Sequence, residues 1–117
     1  MYMNEKRRLP RKRPEVNLQV TDSMTGKIVG RLGDASLDGM LLLADTPITD
    51  DALYQFAFHL PDVHGRLRPV EVGVHETWSE ATRINGQIWV GFRFIDVSPE
   101  GERVLRAWLG LADGAPD

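Results

Sequence analysis

Three arginines near the start of the sequence have the spacing of a phosphate clamp. Arg7 and Arg11 are four residues apart, and Arg8 lies beside the first of them. A guanidinium group binds phosphate through paired hydrogen bonds and stacks on the flat face of a purine. Arg8 and Lys12 have the same separation, but we prefer Arg7 and Arg11 because both are arginine. Such a segment is suited to close over a purine ligand with more than one phosphate.

A second polar pattern, D-x-S-x-x-G, is formed by Asp34, Ser36 and Gly39. Short Asp and Ser side chains bond either nearby backbone groups or a polar ligand, and glycine permits positive φ or close backbone approach. Alone, this pattern is typical of a turn. Beside an arginine clamp it has a further use, because a carboxylate accepts hydrogen bonds from the N1–H and N2–H edge of guanine. The two patterns together indicate a guanine nucleotide ligand.

Charge is unevenly distributed along the chain. Residues 1–13 contain six Lys or Arg and one Glu, a balance of +5, whereas the whole chain carries −3 and the remainder therefore −8. Residues 1–15 lack apolar periodicity and contain two prolines, so we expect a flexible basic arm that is disordered unless something orders it. An acidic body argues against a general nucleic-acid binder. The arm is expected to contact a separate partner or to fold onto a small anion.

The 117 residues are expected to form one domain. Six segments alternate apolar and polar residues or are short apolar runs between turn signals, as strands do. They are VNLQV, KIVGRL, MLLLA, LYQFAFHL, PVEVGVHETW and QIWVGFRFI. The Asn85-Gly86 pair is a strong hairpin signal between the last two. Residues 16–117 therefore predict an all-β fold, a small closed six-stranded antiparallel barrel.

One helix is predicted after the strands, over residues 98 to about 112. Ser98 is a candidate N-cap and Pro99 suits the first helical position. Apolar residues from Val104 to Leu111 share one face at helical spacing. Such a face would pack against the barrel or be read by a partner, and the sequence leaves both uses open.

The two polar motifs and the strand pattern resemble the PilZ domain, the bacterial receptor family for cyclic di-GMP. That family carries R-x-x-x-R on an N-terminal segment, here "RRLPR" at 7–11, and D/N-x-S-x-x-G at a barrel strand, here "DASLDG" at 34–39. The last strand of the family often contains a G-F element, which "VGFRF" at 90–94 matches loosely. A six-stranded barrel with a C-terminal helix is also the family's layout. The resemblance covers nearly the whole chain.

The resemblance implies a ligand site of seven residues: Arg7, Arg8, Arg11, Asp34, Ser36, Gly39 and Trp78. The arginines would hold phosphate and stack on guanine, and Asp34 and Ser36 would bind the guanine edge and phosphate. Trp78 would form an apolar wall, although a place in the core or at the barrel rim is an equal expectation. For Arg31 two roles are open, a contact with the ligand or a solvated charge on its strand.

The resemblance further implies a stand-alone cytoplasmic receptor that has no cofactor besides its ligand, cyclic di-GMP. One ligand or a stacked pair would bind each chain, with Lys6 adding charge for a pair. Arm closure would change the surface that an unidentified effector protein reads, in motility, biofilm formation or another process. No membrane partner is expected, because the sequence has no apolar run of about 18 residues and no signal-peptide core.

Three other functions compete with the receptor. A PilZ-like adaptor would act through protein partners without physiological nucleotide binding. A nucleic-acid binder would use "KRRLPRKR", but the acidic body argues against it. An enzyme or metal protein is not expected, since the chain has no cysteine, its three histidines lack zinc-ligand spacing, and Ser36 lies in no nucleophile elbow.

Overall fold

The computed structural model describes residues 9–83 and 86–111. Within these ranges it contains six strands and one helix: β1 (Gln19–Asp22), β2 (Ile28–Ala35), β3 (Gly39–Ala44), β4 (Leu53–Pro61), β5 (Leu67–Ala81), β6 (Ile88–Val97) and α1 (Pro99–Leu109). The strands form a closed barrel in the order β1-β2-β3-β6-β5-β4, and every neighbouring pair is antiparallel. The predicted six-stranded barrel with a C-terminal helix is confirmed.

Three strands have bounds that differ from the predicted ones by three residues at one end, and the other three differ by one or two. β1 starts at Gln19, three residues after the alternating run began, although the carbonyl of Leu18 already accepts a hydrogen bond from the N–H of Leu32 at 2.9 Å. β2 continues through Gly33 and Asp34, which were expected to interrupt it, because a bulge absorbs the extra residue there. β5 is five residues longer than predicted, since it pairs with β4 along one part and β6 along another.

The barrel interior is filled by apolar side chains. Val70, Val72 and Val74 alternate inward along β5, as the sequence predicts, and each has at most 1% of its surface exposed. Phe56 lies against Phe92 with ring centroids 5.0 Å apart and nearly perpendicular planes, a favourable geometry for aromatic pairs. This packing leaves the barrel without a central channel, so side chains that contact a ligand must lie on its outer surface.

Helix α1 has the predicted caps and packs on the barrel. The hydroxyl of Ser98 accepts a hydrogen bond from the N–H of Gly101 at 3.0 Å, and Pro99 occupies the first turn. Gly110 ends the helix with φ +77°, a left-handed conformation that glycine adopts without strain. Leu105 and Trp108 are buried, and the helix contacts β5 and β4. The apolar face of α1 therefore packs against the barrel.

The structure offers no membrane-spanning helix in the ranges 9–83 and 86–111, because none there has the length and apolar character required.

Replacement of Leu105 by alanine tests whether α1 unfolds together with the barrel. We expect Leu105→Ala to lower the free energy of unfolding by about 2–5 kcal/mol, since a fully buried side chain would leave a cavity. Urea unfolding gives this value. Arg103→Ala, on the exposed side of the same helix, should change it by less than about 0.5 kcal/mol. Equal stabilities of the two variants would contradict a helix that stabilises the barrel.

Candidate functional site

An open cleft of about 350 Å³ lies on the outer surface of the barrel, a volume in the range of small-molecule sites. It is bounded by the segment before β1, the β2–β3 turn, and the middle parts of β5 and β6. Its lining residues are Arg11, Asp34, Asp38, Gly39, Met40, Leu41, Thr77, Trp78, Gly91, Phe92 and Arg93. Cations, carboxylates and an indole ring thus meet at one place on the barrel.

Arg11 reaches the cleft because the segment before β1 pairs with β2. The N–H of Lys12 donates to the carbonyl of Ala35 at 2.9 Å, and the N–H of Ala35 donates back at 3.1 Å. This bridge puts Arg11 beside Asp34. Its Nε and Nη2 donate to Oδ1 of that carboxylate at 2.9 and 2.7 Å. The guanidinium is 47% exposed and the carboxylate 18%, so the ion pair borders solvent and a ligand could reach it.

Asp34 faces outward because of the bulge in β2. Leu32 and Ala35 are buried, and strict alternation from Leu32 would turn Asp34 to the interior as well. The register with β3 shifts between Leu32 and Asp34, so that Gly33 is the extra residue. A bulge of this kind re-aims the next side chain. The carboxylate is thereby moved from the core side of the strand to the cleft.

Ser36 supports the β2–β3 turn from beneath the cleft. It has no exposed surface. Its hydroxyl donates to Oδ1 of Asp38 at 2.6 Å and accepts from the N–H of Asp38 at 3.3 Å and from Nη1 of Arg11 at 3.4 Å. The N–H of Ser36 donates to the carbonyl of Gly39 at 2.9 Å. In this arrangement Ser36 orients two charged residues of the cleft and does not itself line it.

Trp78 is turned to the outer surface by a second bulge. Val74 and Glu76 are buried on β5, and strict alternation would bury Trp78 with them. The register with β6 shifts between Glu76 and Trp78, which makes Thr77 the extra residue. Trp78 is 47% exposed, and its indole lies over Gly91 so closely that a Cβ there would overlap the ring. The tryptophan therefore lies against the sheet with one side of the ring at the cleft.

Gly39 allows β3 and β6 to approach each other. A Cβ at this position would overlap the carbonyl oxygen of Phe92, which is backbone and has no room to move aside. Residue 39 pairs with Arg93 in the β3–β6 register, so the close approach also fixes the position of that arginine. The glycine of the D-x-S-x-x-G pattern thus shapes the cleft floor through strand packing.

A family model for the PilZ domain matches residues 5–111. The chain belongs to the PilZ domain family. The family predicted from the two motifs is confirmed, and the observed barrel with its C-terminal helix has the PilZ fold. No curated protein sequence matches the chain significantly.

Two solved structures share the fold of this PilZ domain. The Bacillus subtilis inhibitor of motility, MotI/DgrA, superposes with a TM-score of 0.70 at 9% identity, covering 87% of this chain and 48% of that one. The PilZ domain of Escherichia coli YcgR, solved with cyclic di-GMP, superposes with a TM-score of 0.63 at 22% identity, covering 90% and 89%. This chain therefore spans about half the length of the first and most of the second.

The structure brings four of the seven predicted site residues to the cleft: Arg11, Asp34, Gly39 and Trp78. Ser36 lies behind them, as described above. Arg7 and Arg8 lie outside the described residues, so their places in the site stay predictions. Arg31 is exposed on β2 and does not line the cleft.

Sequence reasoning missed Asp38, Thr77, Gly91 and Arg93, all of which line the cleft of this PilZ domain. Arg93 is exposed and has no ion pair or hydrogen-bonded side-chain partner within the described part of the chain. A signal for it existed, because Phe92 and Phe94 flank Arg93 in the alternating segment QIWVGFRFI, which puts Arg93 on the other face of the strand from them. Alternation gives the face of a strand but not its register with other strands, so it did not show which residues lie beside Arg93 across the sheet.

Within residues 9–83 and 86–111, no group of three or more His, Asp or Glu side chains could hold a metal ion. The side chains that line the cleft can recognise a ligand in three ways. Two arginines can bind anionic oxygens, two carboxylates can accept hydrogen bonds, and one indole ring can stack on a planar base.

Replacement of Gly91 by alanine tests how Trp78 is held. We expect Gly91→Ala to displace the indole, because the added methyl group would occupy the space of the ring. In protein labelled with 5-fluorotryptophan, the ¹⁹F resonance of Trp78 should shift. Ser79→Ala, which changes an exposed neighbour on β5, should leave the resonance in place. An unshifted Trp78 resonance in Gly91→Ala would contradict the contact.

Proposed function

We propose that this PilZ domain is a receptor that binds cyclic di-GMP in the cleft and transmits the signal to a partner protein. The observation that carries the proposal is the meeting of the two sequence motifs, since Arg11 of R-x-x-x-R pairs with Asp34 of D-x-S-x-x-G at the cleft. Cyclic di-GMP has two phosphates and two guanines, which match the guanidinium, indole and carboxylate groups there. The YcgR PilZ domain, which shares the fold, was solved with this ligand.

The arginines bind the ligand's phosphates in this proposal. Arg11 already lies at the cleft, and Arg7 and Arg8 approach with the rest of the arm. Arg93, on β6, provides a further cation in the same cleft lining. The ion pair of Arg11 borders solvent, with the guanidinium 47% and the carboxylate 18% exposed, and surface pairs contribute only about 0–1 kcal/mol. Exchange of this ion pair for a contact between Arg11 and a phosphate therefore costs little free energy.

Guanine recognition uses the remaining groups of the cleft. The exposed side of the Trp78 indole stacks on a guanine ring, and arginine side chains can cover the opposite face. Asp34 accepts hydrogen bonds from the guanine N1–H and N2–H edge once Arg11 turns to phosphate. Ser36 supports the β2–β3 turn next to Asp34 through its hydrogen bonds to Asp38 and Arg11.

Signal transmission follows from closure of the arm. Cations within the arm repel one another until the ligand's phosphates neutralise them, after which charge-assisted bonds compensate for the ordering entropy. Closure changes the shape and charge of one barrel face, and a partner protein can read that face. PilZ domains are receptor and adaptor domains, which favours such a role over catalysis.

Titration of the purified protein with cyclic di-GMP tests the proposal, together with the variant Arg11→Ala. We expect selective binding over GTP and GMP, and a loss of about ten- to a hundredfold in Arg11→Ala, because a hydrogen bond to a charged group contributes about 1.5–3 kcal/mol. Isothermal titration calorimetry measures both affinities and the stoichiometry. Arg66→Ala, which removes an exposed arginine outside the cleft lining, should bind like wild type.

The outcomes of this titration separate the candidate functions. One ligand per chain would exclude the stacked pair and the predicted role of Lys6 in it. Wild-type affinity in Arg11→Ala would contradict the clamp. Absence of cyclic di-GMP binding would overturn the receptor and favour an adaptor that acts without nucleotide. A nucleic-acid complex that survives Asp34→Ala but not deletion of residues 1–13 would assign the arm to nucleic acid.

Arg93 provides an independent test, because it belongs to neither of the two polar motifs, R-x-x-x-R and D-x-S-x-x-G. We expect Arg93→Ala to weaken cyclic di-GMP binding by about tenfold, through loss of one charged phosphate contact. The matched control is Arg31→Ala, which removes an exposed arginine from β2 outside the cleft. Calorimetry of both variants makes the comparison. An equal loss in the two would indicate a general charge effect and no specific contact by Arg93.

A further inference from the structure

Lys12 follows Arg11 directly but contacts a different part of the molecule. Successive side chains of an extended segment point to opposite sides. Arg11 accordingly reaches Asp34 at the cleft, while Nζ of Lys12 donates to the carbonyl oxygen of Trp108 at 2.8 Å. The same Nζ lies 4.8 Å from the centroid of the Trp108 ring. One dipeptide thus connects the cleft to helix α1, across 96 residues of sequence.

The last turn of α1 offers Lys12 a favourable partner. The final carbonyls of a helix lack intrahelical partners and form the negative end of its dipole. The N–H of Gly110 donates to the carbonyl of Ala107, and the N–H of Leu111 donates to that of Arg106. The carbonyl of Trp108 is satisfied by Lys12, and a cation over an indole face adds attraction. Trp108 is only 7% exposed, so its position is fixed by the core.

The backbone between the two contacts is held at a single bridge. Lys12 and Ala35 exchange two hydrogen bonds, and this is the described pairing of the arm with the barrel. Such a short bridge has little stability by itself, because ordering each residue costs backbone entropy. The side chains on its two sides therefore determine how firmly Arg11 is held at the cleft.

We propose that Lys12 is a positioning residue, which anchors the arm to the last turn of α1 and couples ligand capture to the order of that turn. The proposal rests on the proposed function and identifies how its site is regulated. Anchoring presents Arg11 to the ligand before binding, which raises affinity by preorganisation. Because coupling between two sites is reciprocal, ligand binding stabilises the Lys12–Trp108 contact to the same extent. The order of the last turn of α1 then depends on whether a ligand occupies the cleft.

The test uses the full chain and the variants Lys12→Met, Lys12→Arg and Arg13→Met. Methionine keeps an unbranched apolar stem but removes the charge and the donor, whereas arginine keeps both. Arg13→Met removes the same charge one residue away, from an exposed side chain. Cyclic di-GMP affinity is measured by calorimetry. Amide hydrogen exchange of the last turn of α1 is measured with and without cyclic di-GMP.

We expect Lys12→Met to weaken binding by about tenfold and to abolish the ligand-induced protection of the last turn, within the usual range of coupling energies. Lys12→Arg should keep both properties, and so should Arg13→Met, because within the described residues Arg13 neither lines the cleft nor bonds to the last turn of α1. Equal losses of affinity in Lys12→Met and Arg13→Met would overturn the positioning role. An affinity of Lys12→Met equal to that of the wild type would overturn it as well. A wild-type protein that binds no cyclic di-GMP would instead overturn the proposed ligand and the coupling with it.

Discussion

Alternation of side chains in a closed, filled barrel is the constraint on which the rest of this structure depends. Every second residue of a strand points to the interior, and the interior is occupied by packed side chains such as Phe56 and Phe58. A site for a polar ligand can only form outside. Asp34 and Trp78 would both point inward under strict alternation, and a bulge before each of them turns it outward. The site thus depends on two local departures from the rule that builds the fold.

β2, β3, β5, β6 and the β2–β3 turn supply most of the cleft lining, and the arm supplies Arg11. The bridge between Lys12 and Ala35 brings Arg11 over the cleft, where Asp34 holds it. An acidic body attracts a basic arm without fixing its position, since charge attraction in solvent is weak and not directional. The backbone bridge provides the direction that attraction lacks. It also explains how one dipeptide can contact both the cleft and α1.

The fold could be predicted from sequence because it depends on local patterns. Alternation identified six strands, and Ser98 with Pro99 marked the start of α1, as observed. The bulge at Gly33 escaped prediction, since one inserted residue looks like the end of a strand in the sequence. Asp34, Gly39 and Trp78 were predicted at the site from motif and resemblance, and the structure places all three at the cleft. Arg93 was missed because its place follows from pairing with Gly39 on a strand distant in sequence.

The mixed charge of the cleft bears on which ligand the proposed receptor would accept. Asp34 and Asp38 both line it, and a ligand that is only an anion, such as inorganic phosphate, would be repelled by these carboxylates. A guanine edge offers N–H donors to a carboxylate, so the same groups that disfavour simple anions favour a guanine nucleotide. Specificity is a difference between affinities, and a repulsive group contributes to it as much as an attractive one. Carboxylates beside arginines would then have a physical reason in the proposed receptor: the arginines would provide affinity for phosphate, and the carboxylates would restrict that affinity to guanine nucleotides.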